Sequence, residues 1–375
     1  MDFSELLPEL SRGLSAFTAG NAVMILAGLV LIALAVLKQY EPVLLLPIGF
    51  GCILANIPVT GMLEGDGLFG VLYSAGISNE LFPLLIFIGV GAMIDFSPLL
   101  SQPRLVLLGA AGQFGIFGTL ILATLLKFPL NEAASIGVIG AIDGPTSIYV
   151  ATKLAPDLLA PIAVAAYSYM SLVPIIQPPV MKLLTTREER MIRMEYVPRP
   201  VSRRALVLFP IVVTLVIGLL VPDATPLISM LMLGNLLRES RVVERLTHAA
   251  ENEIINIATL FLGLTVGSTM TAESFLQIDT LQILILGLLA FVLDTAAGLL
   301  FGKFMARISG GKINPLIGAA GISAFPMAGR LAAQVAQDED FENFILMHAM
   351  GANTAGQLGS VMAGGVLLAL VTAIM

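Results

Sequence analysis

Long apolar segments dominate the hydrophobic pattern of this chain, and they exceed what the core of a water-soluble protein requires. A helix that crosses the ~30 Å hydrocarbon layer of a bilayer needs about 20 mostly apolar residues. The segments that meet or approach this length are 22–37, 105–126, 205–221, 281–301 and 344–370. The pattern therefore predicts several membrane-spanning helices.

The composition supports this prediction. Charged residues make up only 12% of the 375 residues and hydrophobic residues 57%, whereas a soluble domain carries about 25% charged residues. One cysteine, Cys52, and two histidines are too few for a disulfide framework or a Cys/His metal site. The N-terminal segment MDFSELLPEL lacks a basic region and a small-residue cleavage site, so we expect no cleaved signal peptide.

Basic residues cluster between the two halves of the chain and predict its orientation. They are Lys182, Arg187, Arg190, Arg193, Arg199, Arg203 and Arg204. Because Lys and Arg favour cytoplasmic loops, we expect residues 183–204 to form a basic cytoplasmic linker between a first half, 1–182, and a second half, 205–375. Placing the other basic groups on the same side gives about ten crossings, with both termini outside.

Two further segments, near 134–156 and 315–337, are rich in Gly, Pro and Ser and are broken near the middle. Treating both segments as re-entrant hairpins keeps every basic loop inside. The halves also echo each other, since IGVGAMIDFSPLL at 88–100 parallels LTVGSTMTAESFL at 264–276. Likewise, GAIDGPT at 140–146 parallels GISAFPM at 321–327.

This arrangement of crossings and broken segments predicts an all-α polytopic membrane protein built from two inverted-topology repeats. Each repeat has about five transmembrane helices and one re-entrant hairpin, and an odd number of crossings per half makes the two halves insert in opposite senses. Paired broken segments in inverted repeats indicate a transporter whose site lies near the bilayer midplane, where the repeats meet.

Asp143 is the clearest candidate for a functional residue, because an ionisable side chain within the bilayer costs at least ~2.5 kcal/mol on insertion scales. Gly144 and Pro145 break the backbone beside it. The carboxylate, the hydroxyls of Thr146 and Ser147 and the freed carbonyls would form the all-oxygen environment that hard cations prefer. The alternative is that Asp143 only caps the hairpin turn.

The second half supplies neutral polar groups and an arginine. Asn314 begins the second hairpin, Ser323 lies at its break, and Arg330 either pairs with Asp143 or reaches the cytoplasmic interface. Two flanking-helix residues, Tyr169 and Asn353, occupy near-equivalent repeat positions. Tyr169 is either a site residue or a packing residue.

Asp294 and His348 receive no role from the sequence. The sequence also lacks nucleotide-binding fingerprints. Energy for transport must therefore come from an ion gradient or from chemistry delivered by a partner.

Long stretches of the chain resemble the beta subunit of the sodium-translocating carboxylic-acid decarboxylases, which act on oxaloacetate, methylmalonyl-CoA or glutaconyl-CoA. They are GAIDGPTSIYVATKLAP, AAYSYMSLVPIIQPPVMK, GNLLRES, ENEIINIATLFLGLTVGS, GGKINPLIGAAGISAFPMAGR and LMHAMGANTAGQLGS. The departures are mild, with GAIDGPT where GGADGPT is common and GANTAG where GPNVAG is common. Neither removes a polar side chain.

The resemblance implies that the chain decarboxylates carboxybiotin, consumes a proton and couples this reaction to Na⁺ export. Implied partners are a carboxyltransferase alpha subunit, a biotin carrier domain or subunit, a small gamma or delta membrane subunit and further beta copies. The implied location is the cytoplasmic (inner) membrane of a bacterium or archaeon.

The resemblance and the residues together nominate the site. The catalytic candidates are Asp143, Tyr169, Ser323 and Arg330, with Arg330 also contacting carboxybiotin; the candidate sodium ligands are Asp143, Thr146, Asn314, Ser323 and Asn353. Physical reasoning without the resemblance leaves an alternative open, a stand-alone secondary transporter such as a cation/proton antiporter or a carboxylate carrier.

Overall fold

The structure is a computed structural model that describes residues 11–39, 42–141, 143–195 and 200–375. The N-terminal segment 1–10 and Arg199 of the linker lie outside these ranges. All regular secondary structure within the described ranges is helical, which confirms the predicted all-α class.

The first half is a succession of helices, most of them joined by short turns. Its α-helices are α1 (Arg12–Ser15), α2 (Ala19–Lys38), α3 (Pro42–Ala55), α4 (Leu68–Leu72), α5 (Leu81–Met93), α6 (Ser97–Ser101), α7 (Val106–Ala111), α8 (Phe114–Leu125), α9 (Leu130–Gly137), α10 (Gly144–Leu154) and α11 (Leu159–Leu184). A π turn (Tyr73–Ile77) follows α4, and 3₁₀ turns occupy Pro103–Leu105, Val138–Ala141 and Pro156–Leu158.

The linker and the second half continue the same plan. Their α-helices are α12 (Arg187–Arg190), α13 (Arg203–Leu220), α14 (Thr225–Ser240), α15 (Glu244–Ala249), α16 (Ile255–Ser268), α17 (Ala272–Phe275), α18 (Ile278–Ile308), α19 (Leu316–Ala319), α20 (Met327–Glu339) and α21 (Leu346–Ile374). A second π turn, Ala250–Ile254, joins α15 to α16, and a 3₁₀ turn, Pro222–Ala224, precedes α14.

Five helical runs among the described residues are long and apolar enough to cross a membrane: α2, Pro103–Leu125, α13, α18 and α21. Two bent pairs, Leu68–Ile77 with Leu81–Met93 and Pro156–Met170 with Leu172–Leu184, raise the number to seven. The chain is therefore a multi-pass membrane protein.

Helix length in the described residues does not reach the ten crossings predicted from sequence. The 14-residue helix α3 is apolar but short, since at 1.5 Å per residue it covers only about 21 Å. The bend of α11 has a local cause. Pro174 lies inside this helix, and a proline cannot donate a backbone hydrogen bond to the carbonyl one turn earlier.

Glycines let two pairs of helices cross closely, α3 with α16 and α5 with α14. A Cβ atom added to any of these glycines would collide with a carbonyl of the facing helix. The pairs are Gly51 with Leu264, Gly267 with Ile48, Gly91 with Leu231, and Gly234 with Ile88. Close backbone approach at small residues is a general way for helices to associate in membranes.

An asparagine strengthens each crossing. The Asn56 amide donates to the Met270 carbonyl oxygen at 2.8 Å, and the Asn235 amide donates to the Ile94 carbonyl oxygen at 2.9 Å. In both pairs a side chain of one half holds the end of a helix from the other half.

The first broken segment consists of α9, the 3₁₀ turn and α10, and its two ends lie side by side. The Asn131 amide near its start donates to the Leu154 carbonyl oxygen at its end, at 2.8 Å. Residues 133–141 are buried, so the break is surrounded by protein. Irregular backbone at membrane depth is tolerated in such surroundings.

The second broken segment, α19 followed by an irregular stretch and α20, is closed at its ends by the linker. The amides of Asn314, at its start, and Asn343, beyond its end, both donate to the Arg190 carbonyl oxygen, at 2.8 and 2.9 Å. The Arg190 guanidinium also pairs with Glu339 at 2.6 Å. The linker therefore holds the ends of this segment together, and we call this set of contacts the clasp.

Candidate functional site

The tips of the two broken segments meet inside the protein. The Ser323 backbone N–H of the second tip donates to the Ala141 carbonyl oxygen of the first tip at 3.3 Å. Helix α21 lies against the second tip, because Asn353 donates to the Ile322 carbonyl oxygen at 2.7 Å and the Ser323 hydroxyl donates to the Gly356 carbonyl oxygen at 3.0 Å. The meeting point is thus built by both halves of the chain.

Asp143 occupies this meeting point as the N-cap of α10, and it is buried. Three side chains donate to its Oδ2 atom: the Thr146 hydroxyl at 2.6 Å, the Gln357 amide at 3.0 Å and the Ser360 hydroxyl at 3.3 Å. Among the hydrogen bonds of the described residues, its Oδ1 atom accepts only a long one, 3.5 Å, from the Thr146 N–H. Several donors stabilise an ionised carboxylate, and the weakly engaged Oδ1 is free to face an ion.

A cavity of about 340 Å³ leads to Asp143. Its inner end is lined by Asp143, Tyr167, Ser323 and Gln357. Its other wall consists of apolar residues of α5 and polar residues of the second π turn and α16. The carboxylate is therefore buried against protein and yet accessible to a small solute.

Ligand types at the tips suit a monovalent cation better than a transition metal. The described residues contain no group of three or more His, Cys, Asp and Glu side chains placed to hold a metal ion. The neutral oxygens at the tips are those of Thr146, which bonds to Asp143, and of Ser323 and Asn353, which bond between the second tip and helix α21. A single carboxylate among neutral oxygen ligands matches one positive charge of a hard cation.

Of the nominated ligands, Thr146, Ser323 and Asn353 lie at the tips. Asn353 is buried, and no described residue donates a hydrogen bond to its Oδ1 atom. Burying an unpaired carbonyl oxygen costs free energy. A cation bound to Asn353 Oδ1 would offset that cost.

Asn314 lies at the linker rather than beside Asp143. Its amide nitrogen donates to the carbonyl oxygens of Arg190 and Ile192 at 2.8 and 2.9 Å, and its Oδ1 atom accepts from the Leu316 N–H at 3.0 Å. These bonds engage the amide in holding the start of the second broken segment. The structure therefore places the nominated sodium ligand Asn314 at the linker.

Tyr169 points away from the tips. Its hydroxyl donates to the Leu284 carbonyl oxygen of α18, and its ring packs against Gly287. Tyr167 lines the cavity instead, with its ring over Gly144, where a Cβ atom would collide with it. Two residues along an α-helix turn the side chain by roughly 200°, so the two tyrosines face opposite directions.

Arg330 is exposed, in the first turn of α20. Among the ion pairs of the described residues, none joins Arg330 to Asp143. The predicted Asp143–Arg330 pair is therefore not formed, and the alternative of an exposed Arg330 agrees with the structure.

Sequence reasoning missed two donors to the carboxylate, Gln357 and Ser360. A signal for them exists in the spacing, because Asn353, Gln357 and Ser360 recur every three to four residues along an otherwise apolar helix. This spacing places them on one helical face, the face that packs on both tips.

An all-helical, multi-pass fold with two broken segments that meet at a buried carboxylate defines an ion-translocating membrane protein. Residues 20–371 match the family of Na⁺-transporting oxaloacetate decarboxylase beta subunits. The chain belongs to this family and is a membrane subunit of a sodium-transporting decarboxylase.

Curated relatives agree with the family match. The chain is 57% identical to the methylmalonyl-CoA decarboxylase subunit beta of Veillonella parvula, over 96% of this chain and 95% of the relative. It is 55% identical to the glutaconyl-CoA decarboxylase subunit beta of Acidaminococcus fermentans, over 96% and 95%. It is also 47% identical to the oxaloacetate decarboxylase beta chain of Klebsiella pneumoniae, over 96% and 97%. These matches support the decarboxylase subunit and not a stand-alone transporter.

Proposed function

We propose that Asp143 binds Na⁺ at the meeting point of the two tips, with Thr146, Ser323 and Asn353 as further oxygen ligands. The observation that carries this proposal is the convergence of three side-chain donors on Asp143 Oδ2, which leaves Oδ1 turned to other partners. The cavity beside Asp143 provides access for the ion.

The chain couples sodium export to the decarboxylation of carboxybiotin carried on a partner. In that reaction the N–CO₂⁻ bond of carboxybiotin breaks, CO₂ leaves and the biotin nitrogen takes up a proton. Sodium and a proton compete for one carboxyl group, because protonation removes the charge that holds the cation. Sodium enters from the cytoplasm to ionised Asp143, and the proton consumed arrives from outside through the same site as sodium leaves.

Arg330 meets the carboxyl group of carboxybiotin in this proposal. Its guanidinium is exposed and follows the second tip by less than two helical turns, and guanidinium pairs with carboxylate through two parallel hydrogen bonds. The partners that deliver carboxybiotin are a carboxyltransferase alpha subunit and a biotin carrier, with a gamma or delta subunit and further beta copies in the cytoplasmic membrane. The beta-subunit names of the relatives support such a complex.

The two halves form inverted repeats, 1–182 and 205–375, in this proposal. The crossings support it: the glycines Gly91 and Gly267 belong to the two segments whose sequences run in parallel, and each faces a carbonyl of the opposite half. The ends of the broken segments support it too. One pair of ends is held at the basic linker, and the other lies near Glu80, which pairs with Lys153 at 2.8 Å.

Replacing Asp143 by Asn tests the sodium site in the complete decarboxylase complex, reconstituted into proteoliposomes. We expect loss of both ²²Na⁺ uptake and sodium-stimulated CO₂ release, because the amide carries no charge to hold the cation. Asp157→Asn is the matched control: Asp157 is exposed just after the same segment, and its loss is expected to leave both rates near wild type. Coupled transport that survives Asp143→Asn would contradict the assignment.

A further inference from the structure

The cavity that leads to Asp143 is lined by a second carboxylate, Glu251, on a different wall from Asp143. Glu251, Asn256 and Thr259 line this wall, and all three come from the second π turn and α16. Among the described lining residues, Asp143 and Glu251 are the acidic ones and none is basic. The remaining wall is largely apolar, with Phe87, Val90 and Met93 of α5 among its residues.

The π turn brings Glu251 to the cavity. In a regular α-helix, residues five apart point about 140° away from each other, so Glu251 and Asn256 would face different sides. The turn at Ala250–Ile254 has π geometry, in which a backbone bond spans five residues. The extra residue rotates Glu251 onto the face of Asn256, and Thr259 follows one helical turn later.

The row of polar side chains runs inward from the cytoplasmic side. Met93 lines the cavity, and the carbonyl oxygens of Ala92 and Met93 accept hydrogen bonds from the Arg238 guanidinium at 3.2 and 3.0 Å. Arg238 belongs to the basic groups that mark the cytoplasmic face. Glu251 is partly exposed and Asn256 is exposed, whereas Thr259 is buried.

We propose that Glu251 recruits sodium from the cytoplasm and, together with Asn256 and Thr259, guides it along the wall to Asp143. This inference rests on the proposed sodium site. A lone carboxylate in a cleft with apolar walls concentrates cations and repels anions, because the low-dielectric walls focus its field. None of the ion pairs among the described residues engages Glu251, so its charge acts on the cavity. Glu251 touches no reacting atom and is a positioning residue for the ion.

Glu251→Gln in the complete complex tests the inference through the sodium concentration at half-maximal CO₂ release and half-maximal ²²Na⁺ uptake. At low ionic strength this concentration should rise roughly threefold to tenfold, with a smaller change in turnover at saturating sodium. The difference should shrink when choline chloride is added to ~0.5 M, because salt screens the charge. Glu251→Asp should restore most of the wild-type value.

Two further variants complete the test. Glu253→Gln changes an acid of the same π turn that is exposed and does not line the cavity, and it should leave half-saturation unchanged. Asn256→Asp adds a carboxylate to the row and should lower the half-saturating sodium concentration, which keeps the inference testable if Glu251→Gln fails to assemble.

The outcomes separate the two proposals. An unchanged half-saturation in Glu251→Gln, or a fall in turnover alone, overturns the role of Glu251. If the Glu251 test fails in this way while Asp143→Asn abolishes transport in the same assay, only the role of Glu251 is wrong and the sodium site stands. If Asp143→Asn keeps coupled transport, the sodium site itself is wrong.

Discussion

At the scale of single residues, Asp143 depends on a helix from the other end of the chain. Gln357 and Asp143 are 214 residues apart in sequence, and yet the Gln357 amide lies 3.0 Å from Asp143 Oδ2. A donor that holds Oδ2 fixes the direction of Oδ1. We infer that α21 sets the orientation of the carboxylate toward the ion.

Gln357→Ala removes this donor and should weaken sodium binding. A hydrogen bond to a charged group contributes about 1.5–3 kcal/mol, so we expect the half-saturating sodium concentration to rise roughly tenfold or more. The measurement is CO₂ release against sodium concentration in the intact complex.

Gln177→Ala is the matched control for this variant. Gln177 is a buried glutamine of α11 whose amide donates to the Ala319 carbonyl oxygen of the second broken segment at 2.7 Å. Its loss should lower thermal stability and leave sodium half-saturation near wild type. Equal shifts of half-saturation in both variants would contradict a specific role for Gln357.

The tyrosines and Asn314 show where single-residue reasoning from sequence stops. Asp143, Thr146 and Ser323 could be nominated because each lies at a break in the backbone. Tyr167 and Tyr169 are both in AAYSYM, and only the rotation of α11 decides which of them faces the cavity. Asn314 is nominated as a ligand by the family resemblance, and in the structure its amide donates to carbonyl oxygens of the linker.

At the scale of elements, the linker and the second broken segment form one unit. Arg190 and Arg187 both pair with Glu339, at 2.6 and 3.3 Å. Arg193 pairs with Asp340 at 2.6 Å. Hydrogen bonds from Arg190 and Arg193 lower the pKa of the Glu339 and Asp340 carboxyl groups below their ordinary values.

The sign of the pH dependence follows from these lowered pKa values. A carboxyl group whose pKa is lower in the folded state stabilises it above the unfolded pKa and loses this effect as the pH falls through the folded pKa. The clasp should therefore hold at neutral pH and weaken only in acid, at pH values below the ordinary carboxyl pKa of about 4.

Glu339→Gln should loosen the clasp at neutral pH, because two arginines lose their shared partner. We expect trypsin to cut after Arg187 or Arg190 roughly twofold to fivefold faster than in the wild type, a modest effect as for other ion pairs near the surface. Glu342→Gln is the control, since Glu342 is exposed and contacts only Arg193 among the described ion pairs. Equal digestion rates in the two variants would argue against the clasp.

At the scale of the whole molecule, the proposed inverted repeats place the ends of the two broken segments on opposite faces of the membrane. The ends of the second segment bond to the basic linker, which is expected in the cytoplasm. The end of the first segment lies beside the acidic Glu80, which this arrangement places outside.

Two variants, each with one added cysteine, test this arrangement. Asp157→Cys and Glu342→Cys introduce exposed thiols beyond the first and second segments, and the native Cys52 is buried. A membrane-impermeant maleimide should label Asp157→Cys from outside intact cells and Glu342→Cys only in inverted vesicles. Labelling of both thiols from the same side would contradict the inverted arrangement.

The sequence by itself determined the class of protein, because apolar segments of bilayer length have few alternatives to spanning helices. It also singled out the two broken segments and Asp143, since Gly, Pro and an acid are costly inside a membrane. The tertiary structure alone decided what surrounds Asp143: Gln357 and Ser360 as donors, Tyr167 rather than Tyr169, and Glu251 turned inward by a π turn. These contacts join residues far apart in sequence, and the rotation of each helix about its axis depends on the packing of all its neighbours.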